Sequence, residues 1–193
     1  MTTILIDRSH PLRDRLERSV RTVFLAEYGA HVADLPATMM AWLDDAGAPL
    51  AATGLRFTAD GLFSEVYLDG PAESVLSAAL GRPVARDRIV EFSNLAAPRA
   101  GAALPLIAAA IRYCRELGAE FGLFTATARL RTLLQHCRLG SVDLGPARSE
   151  RMAGAAAWGC YYRHDPHVLA IAADALPDAL RRSFALSEVP AHA

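Results

Sequence analysis

Between Arg88 and Leu117 a carboxylate, a small-residue turn and an arginine stand in an order that chemistry can use. The stretch Arg88-Ile-Val-Glu91-Phe-Ser-Asn94-Leu95-Ala96 surrounds one glutamate with largely apolar residues, Ala97-Pro-Arg99-Ala-Gly101 follows as a turn, and a long amphipathic run comes next. A carboxylate in such a strand is costly to bury unless it is paired or protonated, so burial raises its pKa toward the range of a general base. A structural salt bridge to Arg56 or Arg131 is the alternative role for Glu91. In a regular strand Asn94 faces away from Glu91, and the two serve one cleft only across a bulge. Unpaired amides at the helix start, beside Arg99 and with Gly101 letting a ligand approach the backbone, make an anion site. An ordinary helix start with a solvated arginine is the competing role.

Other residues stand out by type and spacing. Glu65, Tyr67 and Asp69 fall at period two and suit either a wall of an acceptor site or turn contacts. Met39, Met40 and Trp42 suit the cover of an acyl chain, because methionine adapts to irregular pockets, or else the core. His164 and His167 have a metal-like spacing but flank Asp165-Pro166 in a turn, and without cysteine or carboxylate partners elsewhere no metal site is expected.

The elements that must hold these residues follow from periodicity and turn signals. Leu12, Leu16, Val20, Val23 and Phe24 recur at three and four residues, which predicts an amphipathic helix ended by Gly29. Leu35 to Leu43 reads as a second short helix, with Pro36 at its first position and Met39, Trp42 and Leu43 on one face. Leu50 to Thr58 is a strand, Leu62 to Leu68 is extended or irregular, and Pro71 to Leu80 is a helix closed by Gly81. The strand around Glu91 leads into a helix marked by Leu104, Ile107, Ile111, Cys114 and Leu117. Phe121 to Ala126, apolar on both faces, reads as a central strand. A helix from Ala128 to Arg138, a short strand Val142 to Leu144, and a hairpin of Ala157 to Arg163 with Val168 to Ala172 complete the order. The expected fold class is α/β in the α+β sense: a mixed sheet with helices on both faces. Residues 1–175 are expected to form one domain and residues 176–193 a C-terminal helix or tail.

Bulk properties narrow the functional classes. The chain has 193 residues, is 52% hydrophobic and carries a formal charge of -1, which suits a globular protein and gives no global pull toward nucleic acid or anionic membranes. All 20 basic residues are arginine, so a lysine Schiff base or lysine nucleophile is excluded. Cys114, Cys137 and Cys160 are an odd number without CxxC spacing, which suggests neither a disulfide framework nor a zinc knuckle. The expected setting is the cytoplasm. The first residues lack the pattern of a signal peptide, and no uncharged run reaches the ~18 residues of a membrane span.

Several motifs in fixed order resemble the thermostable hemolysin family over roughly Arg13 to Ala172. They are Tyr28-Gly-Ala30, Gly54-Leu-Arg56, Leu62-Phe-Ser-Glu-Val-Tyr-Leu-Asp69, Arg86-Asp-Arg-Ile-Val-Glu91 with Asn94-Leu-Ala96, Phe124-Thr-Ala-Thr127 with Leu130-Arg131, and Trp158-Gly-Cys-Tyr-Tyr162. The pattern is similar to the GNAT superfamily of acyltransferases and, more closely, to acyl-homoserine-lactone synthases, which implies a GNAT-like, largely antiparallel central sheet. In those synthases a strand with glutamate-x-serine-arginine supplies the candidate base, matched here by Glu91, Ser93 and Asn94. Arg56 is placed like their arginine on an earlier strand, and Arg21 with Phe24 is similar to their N-terminal helix. Asparagine in place of that arginine, and the lack of an acidic cluster before Gly47, argue against the lactone reaction itself. Counting back from Leu139-Gly140, His136 falls where many GNAT enzymes place a catalytic tyrosine. The turn Arg99-Ala-Gly101-Ala-Ala103 is one residue shorter than the superfamily's phosphate motif, which favours an acyl-carrier protein over coenzyme A as donor.

The resemblance implies an N-acyltransferase. A fatty acyl group would pass from an acyl-CoA, or from the acyl-phosphopantetheine of an acyl-carrier protein, to a small amine acceptor. Catalysis is expected at Glu91 and His136, and donor binding at Asn94, Leu95, Arg99, Gly101 and Ala103. Substrate contacts are expected at Arg56, Glu65, Tyr67, Trp42 and Tyr162. Two alternatives compete: a membrane-active hemolysin without enzymatic activity, and a degenerate acyl-binding module.

Overall fold

The computed structural model describes residues 1–98, 101–175 and 177. Strands β1 (Thr2–Ile6), β2 (Thr38–Leu43), β3 (Pro49–Arg56), β4 (Ile89–Ala96), β5 (Phe121–Ala126), β6 (Val142–Pro146) and β7 (His167–Ala172) form one sheet. Its order is β1-β2-β3-β4-β5-β7-β6, and every neighbouring pair is antiparallel except β4 and β5. Helices α1 (Arg13–Tyr28), α2 (Ala72–Leu80), α3 (Ala103–Glu116) and α4 (Ala128–His136) cover both faces, as the sequence leads one to expect.

Alternation along the strands assigns the layers. Met39, Ala41 and Leu43 pack toward Leu16, Val20 and Phe24 of α1, whereas Met40 packs with Leu106, Ala109 and Ala110 of α3. Likewise Ile89 and Leu123 join the cluster of Leu76 on α2, while Phe124 and Leu169 join Ile111 and Leu134 of α3 and α4. Glu91, two residues beyond Ile89 on β4, therefore faces the α1–α2 side.

Two expectations need correction, and one strand stands where none was expected. Leu35 to Leu43 is not a helix: its second part is β2, an inner strand between β1 and β3. Five of the first six residues after the methionine form β1, an edge strand that the sequence pattern did not announce. Ala157 to Arg163 is not half of a hairpin but part of two 3-10 turns, Ala155–Trp158 and Tyr161–His164, and β7 pairs instead with β5 and β6. The segment from Leu62 to Leu68, expected to be extended or irregular, contains a 3-10 helix at Phe63–Tyr67. The expected C-terminal helix or tail lies outside the described residues, Pro177 apart.

Candidate active site

The parallel pairing of β4 with β5 stops at Glu91↔Leu123, so the two strands separate beyond that point. On the other edge of β4 the register with β3 slips: Gly54 pairs with Ser93, but Ala52 pairs with Ala96. Two steps on β3 oppose three on β4, which is a bulge at Asn94 and Leu95. Asn94 takes the left-handed backbone that this requires, with φ 51°. Neither Asn94 nor Leu95 has a register partner on β3 or β5. The result is a cavity of about 540 Å³ whose wall includes Glu91, Asn94 and Leu95 together. A smaller apolar cavity of about 40 Å³ shares Asn94, Leu95, Thr125 and Leu130 with it and is bounded by Phe92, Ile107, Phe124 and Leu134.

Glu91 is 1% exposed. Burial pushes its carboxyl up from the ordinary value of 4.5 to about 7, against hydrogen bonds from Ser64 and Phe63 and the charge of Arg56, which pull it down. Its Oε1 accepts from the Ser64 amide at 3.0 Å and the Ser64 hydroxyl at 2.6 Å, and its Oε2 accepts from the Phe63 amide. The Ser64 hydroxyl also lies 2.9 Å from the Thr125 hydroxyl, which reaches the cavity. A carboxylate offers about four acceptor sites, so one on Oε2 is left for a proton. No ion pair joins Glu91 to Arg56 or Arg131; Arg131 binds Asp165 instead.

Arg56 stands opposite Glu91 in the β3–β4 register, so both side chains share one face. Its guanidinium lies 5.9 Å from the Phe63 ring centroid, and its Nε is buried without a hydrogen-bond partner among the described residues. The Ser93 hydroxyl is buried and unpartnered in the same way. Both residues line the cavity.

Seven of the fourteen aromatic residues form a continuous wall beside these groups. Phe24 meets Tyr28 and Trp158, Trp158 meets Phe63 and Tyr161, and Tyr67 meets Phe63 and Tyr162. Close backbone contact fixes the wall: the Cys160 amide donates to the Tyr28 carbonyl at 2.8 Å, and the His31 amide to Ala157 at 2.7 Å. A Cβ at Gly159 would sit 2.1 Å from the Tyr28 oxygen, which only glycine avoids. The motifs Tyr28-Gly-Ala30 and Trp158-Gly-Cys-Tyr-Tyr162 are thus two halves of one joint.

The remaining candidate residues divide. His136 lines the cavity, and its Nδ1 lies 2.8 Å from the Thr132 carbonyl. A carbonyl only accepts, so Nδ1 carries a proton and Nε2 is the nitrogen left for chemistry. Gly101, at φ 83°, and Ala103 line the cavity too, while Arg99 lies outside the described residues. Tyr67 lines it, and its hydroxyl is 2.8 Å from that of Tyr162, which stands behind it. Burial drives the Tyr67 hydroxyl well above its usual pKa, so it stays protonated.

Glu65 and Trp42 are not brought to the cavity. The Glu65 carboxylate receives Arg86 at 2.5 and 3.0 Å and the Ala72 amide at 2.8 Å, which ties the 3-10 segment to the start of α2. Trp42 packs with Leu5 and Phe57 against the α3 side of the sheet, and Met39 and Met40 are fully buried core. Ser64, Thr125, Trp158 and Tyr161 were not singled out from the sequence as site residues, although each stands inside one of the motifs quoted above. Among the described residues no three His, Cys, Asp or Glu side chains gather as a metal site, and no helix is long and apolar enough to cross a membrane.

Among the described residues the sheet has one parallel pair, β4 with β5, which parts beside a bulged strand, and this is a GNAT-like fold. The CoA-dependent acyl-homoserine lactone synthase BjaI, solved with SAM and isopentyl-CoA, superimposes with a TM-score of 0.63 at 16% identity, over 97% of this chain and 91% of that one. The N-acyl amino acid synthase FeeM from uncultured soil microbes gives 0.55 at 16%, over 88% and 90%. A Lactobacillus plantarum protein assigned as an N-acetyltransferase gives 0.56 at 13%, over 89% and 99%. At these identities the likeness is one of fold. No curated protein matches significantly in sequence. The chain belongs to the thermostable hemolysin family, whose model matches residues 6–176.

Proposed function

We propose that the protein is an N-acyltransferase that moves a fatty acyl group from a coenzyme A or acyl-carrier-protein thioester to a small amine. The observation that carries this reading is the placement of Glu91 and the unpaired Asn94–Leu95 backbone on the wall of one cavity at the β4–β5 fork. The similar structures support it, since they include an acyl-homoserine lactone synthase bound to isopentyl-CoA and an N-acyl amino acid synthase.

In this mechanism the amine nitrogen attacks the thioester carbon, and Glu91 takes the proton that nitrogen gives up. A carboxyl with its pKa near 7 is matched to that task at neutral pH. The amides of Asn94 and Leu95 hold the carbonyl oxygen as negative charge develops on it. The carbon–sulfur bond then breaks, and Nε2 of a protonated His136 returns a proton to the departing thiolate. The donor's phosphopantetheine lies along the cavity wall at Gly101 and Ala103, and the acyl chain extends toward the small apolar cavity between Phe92, Ile107 and Leu134.

Acyl thioesters of several chain lengths, supplied with pooled amines, test the proposal. Free thiol and an N-acyl product seen by mass spectrometry are the expected result; thioester binding without turnover across a broad panel favours a degenerate acyl-binding module.

A further inference from the structure

The cavity's charges are unevenly matched. Glu27 is paired with Arg129 at 3.8 Å and Asp34 with Arg8 at 3.7 Å, while the Glu91 carboxylate is held by three donors from Phe63 and Ser64. Arg56 has no ion-pair partner among the described residues, and its Nε has no hydrogen bond. Arg56 is half-buried and its charge acts on Glu91 without an ion pair, while its buried Nε near Phe63 lacks a partner that an arriving anion would supply. The Ser93 hydroxyl, on the same face of β4 as Glu91, is a second buried group without a partner.

We propose that the acceptor is an amine that also carries a carboxylate, an α-amino acid or close analogue, and that Arg56 and Ser93 receive this carboxylate while Glu91 serves the amine. The inference rests on the acyl-transfer reading above. Opposed side chains in an antiparallel pair stand about 5 Å apart at Cβ, so Arg56 and Glu91 present a cation and a base side by side. An α-amino acid carries its carboxylate and amine on one carbon, which matches that spacing. Arg56 lies on β3, across β4 from the fork, and this places the anion on the acceptor and not on the thioester.

The test uses one acyl thioester and matched acceptors: α-amino acids, their methyl esters and the corresponding decarboxylated amines. The wild type is expected to favour the acids by about 100-fold or more in kcat/KM, because the other acceptors leave Arg56 and Ser93 unpaired. Arg56→Gln is expected to abolish the preference through a raised KM for the acids, and Arg56→Lys to keep part of it. Equal use of acids and esters, or an unchanged preference in Arg56→Gln, overturns the carboxylate assignment and leaves acyl transfer standing. If Arg56→Gln does not fold, the wild-type ratio and Arg56→Lys decide the matter. Absence of thiol release with every acceptor overturns acyl transfer itself.

Discussion

Glu91 and Asn94 are three residues apart on β4, and both line one cavity. Strand alternation would send them to opposite faces; the extra residue opposite β3 and the positive φ of Asn94 bring them to the same space. The carboxylate and the backbone amides of the proposed reaction thus depend on one local irregularity.

Activity should rise with pH through about 7, where Glu91 loses its proton and can act as base. Stability should move the other way. The carboxyl titrates near 4.5 when unfolded and near 7 when folded, so its contribution is complete below the lower value and is lost as pH rises through the upper one. The difference is on the order of 3 kcal/mol. Denaturation of wild type and Glu91→Gln at pH 5 and pH 8 checks this: the variant should gain relative to wild type at the higher pH. A pH-independent gap between them contradicts it.

Gly159→Ala should loosen the joint between α1 and the aromatic wall. The new Cβ meets the Tyr28 carbonyl at 2.1 Å on a backbone of φ 55°, and relief requires the strand of contacts through Cys160 to move. A loss of about 2–4 kcal/mol is expected by urea denaturation, together with an altered near-ultraviolet dichroism of Trp158 and the tyrosines. A variant as stable as wild type would show that the two motifs do not lock together.

Glu65→Gln separates a turn-holding role from acceptor binding. Loss of its bonds to Arg86 and the Ala72 amide, in a partly exposed setting, should cost about 1 kcal/mol of stability. The KM for the acceptor should not change. A raised KM with unchanged stability would return Glu65 to the acceptor site.

Cell lysis offers a check on the family name. Purified protein alone should not lyse erythrocytes, whereas lysis should follow once a long-chain thioester and an acceptor amine are added, through a surface-active lipid amide. Immediate lysis by the protein alone supports the membrane-active alternative.

Helices α1 and α3 are legible because their apolar residues keep a helical period and Gly29 and Gly118 close them, and α2 because Pro71, Glu73 and Gly81 mark its ends. Strand β2 was misread for a physical reason: it is buried on both faces, so Met39, Met40 and Ala41 show no alternation, and Pro36 before them imitates a helix start. The sequence singles out Glu91 as a lone carboxylate in an apolar strand and Arg56 through the family resemblance, and both line the cavity. The bulge at Asn94 was foreseen only as a condition. Ser64 and Thr125 carry no local signal, because they meet only where a 3-10 turn packs on β5, 61 residues away in sequence. The expected hairpin at Ala157 to Arg163 failed likewise, since that segment's partner is the end of α1.

The central claim is that Glu91 is the base of an acyl transfer, and free-thiol release by wild type and Glu91→Gln, with the product followed by mass spectrometry, tests it most directly. Wild type should release thiol and form an N-acyl amine, and the variant should fold yet lose about 10²- to 10⁴-fold in kcat. A folded Glu91→Gln protein that turns over at the wild-type rate would contradict the account.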